Sequence, residues 1–562
     1  MHTALLVLLG LVAQGNPGFT ATAPTAAKNA VVAVCPDDFR PALAPWVAFR
    51  KAEGYDVRVV SNAGTSKEIR RRVRAAVPGG RPKFLVLVGD VPTDMDGKSP
   101  AGADASEAAR CVPAPYAKAK VNLYFGSEPR MPNDAWYADW DDDGLPDVAQ
   151  GRLTADTPEE LGTMVAKILA YERSTDFRAW RRQLNFVAGV GGFGPMADAV
   201  IESSARYLLT TGIPADCRVQ MTQANWRAAY CPDPRRINQT TIDRLNDGAF
   251  FWTYIGHGRP QRLGAMHVPG RRYGLLSTED VARLRAQHGP SIALFLACYT
   301  GALDSRPDCL AEELLREPGG PVGIVSSSRV AMPYAMAVMG MEMMDACFKQ
   351  RVPTLGEAVL VAKRNLVNPG KPTEVRAMLD SIASLVSPSA LKMTEERAEH
   401  VVLFNLFGDP CLRLRYPESV TLSAATDKTN VKKLVVECDS PVAGRATIEL
   451  VRPLGVLGFP APRRTAYPAS PDELDEYDLI YKRANDGRVS GVEQNVATGP
   501  FLAELTLPGN LAGTFQVRVF VEGKDGFGSG STNVRLGPQQ PTADSRQQAV
   551  RVGQAVPDNP AT

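Results

Sequence analysis

The stretch "GAFFWTYIGHG", residues 248–258, is an apolar run that ends in a histidine between two glycines. A short run rich in aromatic and β-branched residues predicts a buried β-strand. Glycines after such a strand permit a tight turn, so the strand is expected to present His257 at its tip. An ordinary turn would explain the same residues, and a reactive partner in a similar context is needed to favour a functional site.

A second strand of this kind is "IALFLACYTG", residues 292–301, in which five apolar residues lead through Ala297 to Cys298. The carboxyl ends of parallel strands share one edge of a sheet, where open α/β sheets bind their ligands. If the two strands are neighbours, the imidazole of His257 and the thiol of Cys298 converge at that edge. A cysteine next to a histidine is the minimal apparatus for nucleophilic catalysis by a thiol. A lone cysteine is more often buried core, but the combination of the two strand ends is far more specific.

The segments around these strands predict an α/β fold. Residues 30–90 alternate strand, helix, strand, helix and strand, which indicates a parallel sheet covered by helices. The alternation starts again near residue 183, as a second sheet or as a continuation of the first. We therefore predict an N-terminal α/β subdomain over 30–150 and a catalytic α/β subdomain over 151–417.

The pattern of predicted secondary structure changes at residue 418. About seven short strands separated by Gly, Pro, Asp and Asn predict an all-β, immunoglobulin-like sandwich over 418–540. The stretch "YDLIYKR", residues 477–483, is interpreted as one of these strands. Residues 541–562 are polar and are expected to be disordered.

Composition and charge limit the possible partners. The chain has 562 residues, with 63 Lys plus Arg against 61 Asp plus Glu, so no charge excess points to nucleic acid or an anionic membrane. The apolar segment Ala4–Ala13 has the length of a signal-peptide core, which predicts a signal peptide over 1–23 and an exported protein, whether extracellular, periplasmic or on the cell surface. No later segment has the apolar length of a membrane span.

The nine cysteines do not have the spacing of a zinc site. Cys217 and Cys231 flank a short segment and are a candidate disulfide pair. The odd number of cysteines leaves one thiol over in any full pairing.

The Gly-His-Gly and Ala-Cys blocks resemble those of the gingipain-like cysteine peptidases, peptidase family C25, which are related to caspases and legumain. Three further stretches resemble the same family, namely "VVAVCPDDFRPALAPWVAFRKAEGYDVRVV" (31–60), "WYADWDDDGLPDVAQGRLTA" (136–155) and "LFNLFGDPCLRL" (403–414). The resemblance implies a caspase-like parallel sheet with flanking helices, followed by an immunoglobulin-like module.

The resemblance also implies roles for individual residues. Cys298 corresponds to the nucleophile, His257 to the general acid and base, and the backbone N–H groups of Gly258 and Cys298 to the oxyanion hole. Gingipains orient the histidine with a glutamate, and this chain has Val190 at that place. The implied enzyme is a cysteine endopeptidase with a Cys-His dyad and a thioester acyl-enzyme, acting on protein or peptide without a catalytic cofactor.

Substrate recognition is less defined by the sequence. Asp198 lies near the place where arginine-specific gingipains bind the substrate's arginine, but the loop before it differs in length. An acidic residue that favours a helix N-terminus is the alternative, and the one we favour. Two other functions remain open: a catalytically silent binding or adhesion protein on the same fold, and a sortase-like transpeptidase that uses the same acyl-enzyme.

The acidic loop "DWDDDGLPD", residues 139–147, is a candidate calcium site. Its acids stand at loop positions one, three, five and nine with glycine at six, which matches the front of a calcium loop. Position twelve is Gln150 rather than glutamate, and a solvated acidic turn is the alternative. The candidate ligands are Asp139, Asp141, Asp143 and Asp147.

Overall fold

The structure is a computed structural model that describes residues 29–537. The ranges not described within it are 97, 99–104, 190, 192–211, 287, 371–372, 387–391, 428, 469 and 510. The predicted signal peptide, the predicted disordered tail, Val190 and Asp198 therefore lie outside the described residues.

One ten-stranded sheet forms the centre of the α/β region. Its strands in chain order are β1 (Ala30–Val34), β2 (Asp56–Val60), β3 (Phe84–Val88), β4 (Ala149–Leu153), β5 (Gln183–Ala188), β6 (Arg218–Gln223), β7 (Phe251–Ile255), β8 (Ile292–Leu296), β9 (Gly323–Ser327) and β10 (Phe404–Gly408).

The strand order across this sheet is β2-β1-β3-β4-β10-β9-β8-β7-β5-β6. Strands β1 to β4 pair in parallel with each other, as do β5 to β9, whereas β10 is antiparallel to β9. The second half of the α/β region thus continues the first sheet. Strands β1, β3 and β8 are buried along their whole length, as near-continuous apolar strands covered on both faces should be.

Helices cover this sheet and connect its strands. Their bounds are α1 (Arg40–Ala52), α2 (Ser66–Ala75), α3 (Ala105–Ala109), α4 (Ala135–Ala138), α5 (Pro158–Arg173), α6 (Ile237–Asn246), α7 (Leu310–Arg316), α8 (Pro333–Met344), α9 (Leu355–Val367), α10 (Glu374–Val386), α11 (Met393–Leu403) and α12 (Pro471–Asn485). The side chain of Thr157 accepts a hydrogen bond from the backbone N–H of Glu160, so α5 begins at a threonine cap.

A β-sandwich follows the sheet. Its strands are β11 (Glu418–Ser419), β12 (Thr421–Thr426), β13 (Lys433–Ser440), β14 (Gly444–Val451), β15 (Arg488–Val496), β16 (Gly499–Thr506), β17 (Gly513–Gly523) and β18 (Phe527–Leu536). They form a five-stranded sheet in the order β11-β18-β17-β14-β15 and a three-stranded sheet in the order β12-β13-β16. Alternate residues of β13 face the core between the two sheets. The fold class is therefore confirmed: a mostly parallel α/β sheet with a β-sandwich after it.

One predicted strand of the sandwich is wrong. "YDLIYKR" lies within helix α12, which begins at Pro471 after Ser470, whose side chain accepts a hydrogen bond from the backbone of Glu473. Leu474, Tyr477 and Tyr481 are its buried residues, and their spacing of three and four is that of a helix face. The cap and this spacing outweigh the strand-like composition of the segment.

Helix α12 also covers the edge of the main sheet. The Asn485 side chain accepts a hydrogen bond from the Met221 backbone N–H at 2.7 Å and donates one to the Met221 carbonyl at 3.0 Å. Its carboxamide thus pairs with the edge strand β6 as a neighbouring strand would. At Met221 the edge therefore no longer offers free backbone groups to another chain.

The cysteines of the chain all lie in the described residues, and each is a free thiol. The candidate pair Cys217 and Cys231 therefore does not form a disulfide. Cys217 directly precedes β6, whereas Cys231 follows Tyr230, whose carbonyl accepts a hydrogen bond from Gln223 at the other end of that strand. A six-residue strand spans about 20 Å, far beyond the reach of a disulfide.

No helix in the described part of the chain combines the length and the apolar character needed to cross a membrane.

Candidate active site

The two strands that carry the candidate residues are parallel neighbours. Strands β7 and β8 pair in register up to Ile255 and Leu296, and the Gly256 N–H donates to the Leu296 carbonyl at 3.2 Å. Two residues beyond this last pair stand His257 and Cys298. Both line one cleft of about 1730 Å³, so the structure brings them to the same edge of the sheet.

The backbone after His257 lies directly against the backbone of Cys298. A Cβ atom on Gly258 would stand 2.4 Å from the Cys298 carbonyl oxygen and 2.8 Å from Cγ2 of Thr300. Only glycine fits in this space, which explains the second glycine of the Gly-His-Gly block. The close approach also brings the Gly258 backbone to the turn that carries the thiol.

His257 is exposed, and it lies on a loop whose backbone is fixed by hydrogen bonds to its carbonyl oxygen. The buried Tyr254 hydroxyl donates to the His257 carbonyl at 2.7 Å, and the Gly264 N–H donates to the same oxygen at 2.8 Å. The hydroxyl also accepts a hydrogen bond from the Gly264 N–H at 3.2 Å. Tyr254 thus fixes the position of the histidine backbone while the ring faces the cleft region.

Cys298 is half-buried, and its sulfur accepts a hydrogen bond from the Ala331 N–H at 3.3 Å. Burial raises the pKa of the Cys298 thiol, and hydrogen bonds from the backbone N–H groups of Ala331 and of Cys298 itself partly offset this rise. Such a thiol is mostly protonated at neutral pH. A base must therefore remove its proton before it can act as a nucleophile.

The turn after Cys298 is strained. Tyr299 has a φ of 60°, a backbone conformation that residues other than glycine rarely adopt. Its N–H donates to the Arg329 carbonyl at 3.1 Å, and its hydroxyl donates to Glu128 at 2.7 Å. Strain of this kind costs about 1–3 kcal/mol and persists only where surrounding contacts determine the conformation.

A buried ion pair supports this turn. Arg329 and Asp304 are both fully buried and form two hydrogen bonds, of 2.8 Å and 2.6 Å. Asp304 also accepts a hydrogen bond from the Tyr116 hydroxyl at 3.0 Å. Arg329 in turn carries the carbonyl that binds the Tyr299 N–H, so this pair connects the N-terminal part of the chain to the thiol turn.

A second histidine shapes the cleft wall. The buried His400 accepts the Met332 N–H on Nε2 at 2.9 Å, and its Nδ1 lies 2.7 Å from the Glu396 carbonyl. Nδ1 therefore carries the proton and donates it to that carbonyl. Burial lowers the pKa of His400 to about 4, so the ring is neutral. Met332 follows Ala331, and the neutral imidazole holds the segment that donates to the thiol.

A comparison with protein families matches the model of peptidase family C25 to residues 24–415, well over half of the chain. The chain belongs to peptidase family C25. This family consists of cysteine peptidases, which are hydrolases, and the resemblance drawn from the His-Gly and Ala-Cys blocks is confirmed.

Several gingipains are similar to this C25 chain. Gingipain R2 of Porphyromonas gingivalis is 24% identical over 302 residues, which cover 52% of this chain and 36% of that protein. Lys-gingipain of the same species is 20% identical over 291 residues, which cover 50% of this chain and 14% of that protein. The match thus spans about a third of the length of the first relative and about a seventh of the second.

The fold agrees with a solved structure. The crystal structure of the Arg-specific cysteine proteinase gingipain R aligns with a TM-score of 0.50 at 16% identity, over 91% of this chain and 98% of that one. The likeness includes the region after the α/β sheet, which is a β-sandwich in this C25 chain.

The acidic loop brings three of its four predicted ligands together. The carboxylates of Asp139, Asp141 and Asp147 offer oxygen atoms that lie within 4.8 Å of one another, and Asp143 is not part of this group. The Asp143 carboxylate instead accepts the Leu145 N–H at 2.8 Å and closes the turn. In the sequence, Asp143 follows the same every-second-residue spacing as Asp139 and Asp141, so spacing alone does not distinguish a residue that closes the turn from a residue that binds an ion.

The three grouped carboxylates fit a cation by their chemistry. Asp139 is 5% exposed, burial raises the pKa of its carboxyl group, and its Oδ1 atom has no hydrogen-bond partner. A buried carboxylate oxygen without a partner is costly unless a cation binds it. Asp147 is shared, because its Oδ1 atom also accepts from Arg81 at 2.9 Å and from Arg364 at 3.1 Å.

Proposed function

We propose that this C25 chain is a cysteine endopeptidase that hydrolyses peptide bonds through a dyad of Cys298 and His257. One observation carries the proposal: β7 and β8 end in register, and the residues that follow line one cleft with the Gly258 backbone against Cys298. Family membership supports the chemistry. The size of the open cleft, about 1730 Å³, suits a peptide chain rather than a small metabolite.

The proposed mechanism follows from the raised pKa of the thiol. His257 takes the proton from Cys298, and the sulfur attacks the peptide carbonyl to form a tetrahedral intermediate. The backbone N–H groups of Gly258 and Cys298 stabilise the negative charge on its oxygen. His257 then gives its proton to the leaving amine, and the C–N bond breaks to leave a thioester. Water, deprotonated by His257, hydrolyses the thioester and restores the thiol.

Labelling with an alkylating peptide ketone under reducing conditions tests this assignment. The eight other cysteines are buried, so the half-buried Cys298 is expected to react far faster than any of them. Cys298→Ala should abolish both labelling and hydrolysis of a peptide library without a change in melting temperature. Cys438→Ala, which removes a buried thiol of the sandwich, is the matched control and should change neither.

The outcomes separate the rival functions. Label on another cysteine, or full activity in Cys298→Ala, contradicts the dyad. A folded wild-type protein that neither labels nor cleaves supports a silent binding protein instead. Label without cleavage, with product formed only when an acceptor amine is added, supports a transpeptidase. Asp198 remains a candidate for substrate binding, and a changed residue preference in the library for Asp198→Asn would support that role.

We also propose that the loop of Asp139, Asp141 and Asp147 holds a structural calcium ion. A ligand that binds only the folded state stabilises it by about 2.7 kcal/mol at a hundredfold excess over its dissociation constant. Chelation should therefore lower the melting temperature. Asp141→Asn should remove this response, whereas Asp143→Asn in the same loop should keep it. An identical response in both variants would contradict the site.

The division of the chain and its export are proposals as well. We propose a signal peptide at 1–23, α/β subdomains at 30–150 and 151–417, a sandwich at 418–540 and a tail at 541–562. The change from parallel sheet to sandwich near residue 418 supports the third boundary. N-terminal sequencing of the protein recovered outside the cytoplasm would test export, and a mature chain that still begins at Met1 would refute the signal peptide.

A further inference from the structure

Two consecutive β-hairpins follow His257 and form one wall of the cleft. The first hairpin pairs Gly258–Arg259 with Arg262–Leu263, and the second pairs Ala265–Val268 with Arg271–Gly274. The sequence from 248 to 278 contains four arginines and two histidines but no aspartate or glutamate. This wall is therefore basic, and it begins directly beside the proposed catalytic residues.

One face of the second hairpin lines the cleft. Side chains alternate between the two faces of a strand, and directly opposite residues of a strand pair share a face. The lining residues of this hairpin form the two opposite pairs of a single face, namely Ala265, His267, Arg272 and Gly274. The residues of the other face are outside the lining, namely Met266, Val268, Arg271 and Tyr273. Arg272 therefore faces the cleft, and its sequence neighbour Arg271 does not.

The first hairpin carries two arginines on one face. Arg259 and Arg262 are directly opposite each other, and both are exposed and line the cleft. Leu263 on the other face is buried, so the arginine face is turned toward solvent. Directly opposite residues have Cβ atoms about 4.5–5.5 Å apart, and like charges in this position destabilise a strand pair. An anionic group bound between the two guanidinium groups would remove this repulsion.

The donors of these arginines are available to a ligand. In the part of the chain that the structure describes, the side chains of Arg259, Arg262 and Arg272 make no ion pair, hydrogen bond or ring contact. All three residues are exposed, so a ligand in the open cleft can reach them. A guanidinium group presents its donors in a planar fork, which fits a carboxylate with two parallel hydrogen bonds.

Most of the negative charge in the cleft is already bound. Three carboxylates belong to the cleft lining. Asp280 binds Arg283 at 2.8 Å, and Glu128 accepts a hydrogen bond from the Tyr299 hydroxyl at 2.7 Å. Glu279 is exposed and is the one carboxylate of the described lining that remains to face the three arginines. The charge that this wall offers to a ligand is therefore positive.

We propose that this wall is a subsite for acidic side chains, aspartate or glutamate, of a polypeptide substrate, bound by Arg259, Arg262 and Arg272. The inference rests on the proposed peptidase function and adds the class of substrate. Arg259 directly follows Gly258, whose backbone lies against Cys298. The acidic residue of the substrate therefore binds close to the peptide bond that is cut.

Cleavage of matched peptide pools tests this subsite. The pools differ only in having Glu, Gln or Lys at one fixed position, and mass spectrometry of the products locates that position relative to the cut bond. At one position or more, the wild-type chain should cleave the Glu pool about tenfold faster than the Gln pool, because each exposed ion pair contributes up to about fivefold. The Lys pool should be slowest. The preference should shrink at about 1 M salt, where charges are screened beyond about 3 Å.

The ratio of the Glu to the Gln rate is the measured quantity, because a general change in activity cancels in it. Arg259→Gln combined with Arg262→Gln should bring this ratio to within about twofold of one. Arg272→Gln on the second hairpin should also lower it, and it serves as the test if the first variant does not fold. Arg271→Gln is the matched control, since it alters an exposed arginine of the same strand on the face outside the lining, and it should keep the wild-type ratio.

A binding measurement separates this proposal from the peptidase function. The same pools are passed over immobilised Cys298→Ala protein, which should retain Glu peptides in preference to their Gln counterparts. Such retention without any cleavage by the wild type would support the subsite and contradict the peptidase. Cleavage with equal Glu and Gln rates at every position, a preference for Lys, or an unchanged ratio in the arginine variants overturns the subsite. Neither cleavage nor selective retention overturns both proposals.

Discussion

The ends of β7 and β8 differ in construction although the two strands are parallel neighbours in register. The chain after β7 turns at Gly256 and exposes His257, whose carbonyl accepts hydrogen bonds from the buried Tyr254 hydroxyl and from the Gly264 N–H. The chain after β8 adopts a strained turn at Tyr299, supported by a fully buried ion pair. The chain after β8, called here the thiol end because it carries Cys298, is thus supported by buried groups. The chain after β7, called the imidazole end because it carries His257, is an exposed loop.

This difference indicates how the two ends should respond to substitution. Changes to the residues that support the thiol turn, as distinct from the thiol itself, remove buried charge or hydrogen bonds and should appear as lost stability. Changes at the imidazole end remove exposed groups and should appear as lost rate in a protein that still folds. Four experiments test that contrast.

The largest expected effect is at the thiol end. Asp304→Asn leaves the buried Arg329 with only the longer contact to Glu128, 3.7 Å from its Nε, and breaking such a buried pair costs about 3–5 kcal/mol of unfolding free energy. Denaturant unfolding measures this loss. Glu493→Gln, which removes an exposed partner of Arg445, is the control and should cost less than about 1 kcal/mol. Equal losses in the two variants would contradict the buried support.

At the imidazole end, His257→Ala should lower the rate of peptide hydrolysis at least about a hundredfold, the usual scale of lost acid–base assistance. Its melting temperature should stay unchanged, because the side chain is exposed. His267 is a second exposed histidine of the cleft, and His267→Ala should keep nearly full activity. A His257→Ala enzyme within twofold of wild type would remove His257 from the mechanism.

Gly258→Ala tests the close contact between the chain after β7 and the chain after β8. The added Cβ would lie 2.4 Å from the Cys298 carbonyl, so the two backbones must move apart and hydrolysis should fall about tenfold or more. Gly274 lines the same cleft, and a Cβ added there would have no atom within 4 Å. Gly274→Ala should therefore leave the rate of hydrolysis unchanged. Equal rates in both variants would show that the close approach is irrelevant to catalysis.

The smallest effect concerns pH. His400 has a folded-state pKa of about 4, below its ordinary 6.5, so the unfolded chain takes up this proton first as pH falls. Stability is therefore lost below pH 6.5, by about 1.4 kcal/mol at pH 5.5 relative to pH 8. His400→Gln should remove that part of the pH dependence in denaturant unfolding. An unchanged pH dependence would contradict the neutral buried imidazole.

The sequence identified the features that depend on local pattern. The apolar runs before His257 and Cys298 predict buried strands, and their shared place at strand ends predicts one sheet edge. Tyr254, Ala331 and His400 were missed, because each acts through a contact that only the folded chain creates. Tyr254, the fourth of the five residues of β7, has no local signal that separates it from the other core aromatics.

Two differences between the sequence prediction and the structure have a similar physical origin. "YDLIYKR" has strand-like composition, but the cap at Ser470 and the apolar spacing of three and four settle the helix. Asp143 fits the ligand spacing by sequence, but its carboxylate closes a turn on the Leu145 N–H. In both places a hydrogen bond to a backbone N–H three or two residues further on decides the outcome, and such a bond is easily overlooked beside composition.

The pairing of Asn485 with β6 has a consequence for the order in which the chain is made. About 250 residues separate the end of β6 at Gln223 from the start of α12 at Pro471. On the ribosome, the main sheet therefore forms with an open edge long before the segment that covers it has emerged. Open strand edges recruit other chains, so nascent protein is most prone to aggregate in this interval and least so once α12 docks.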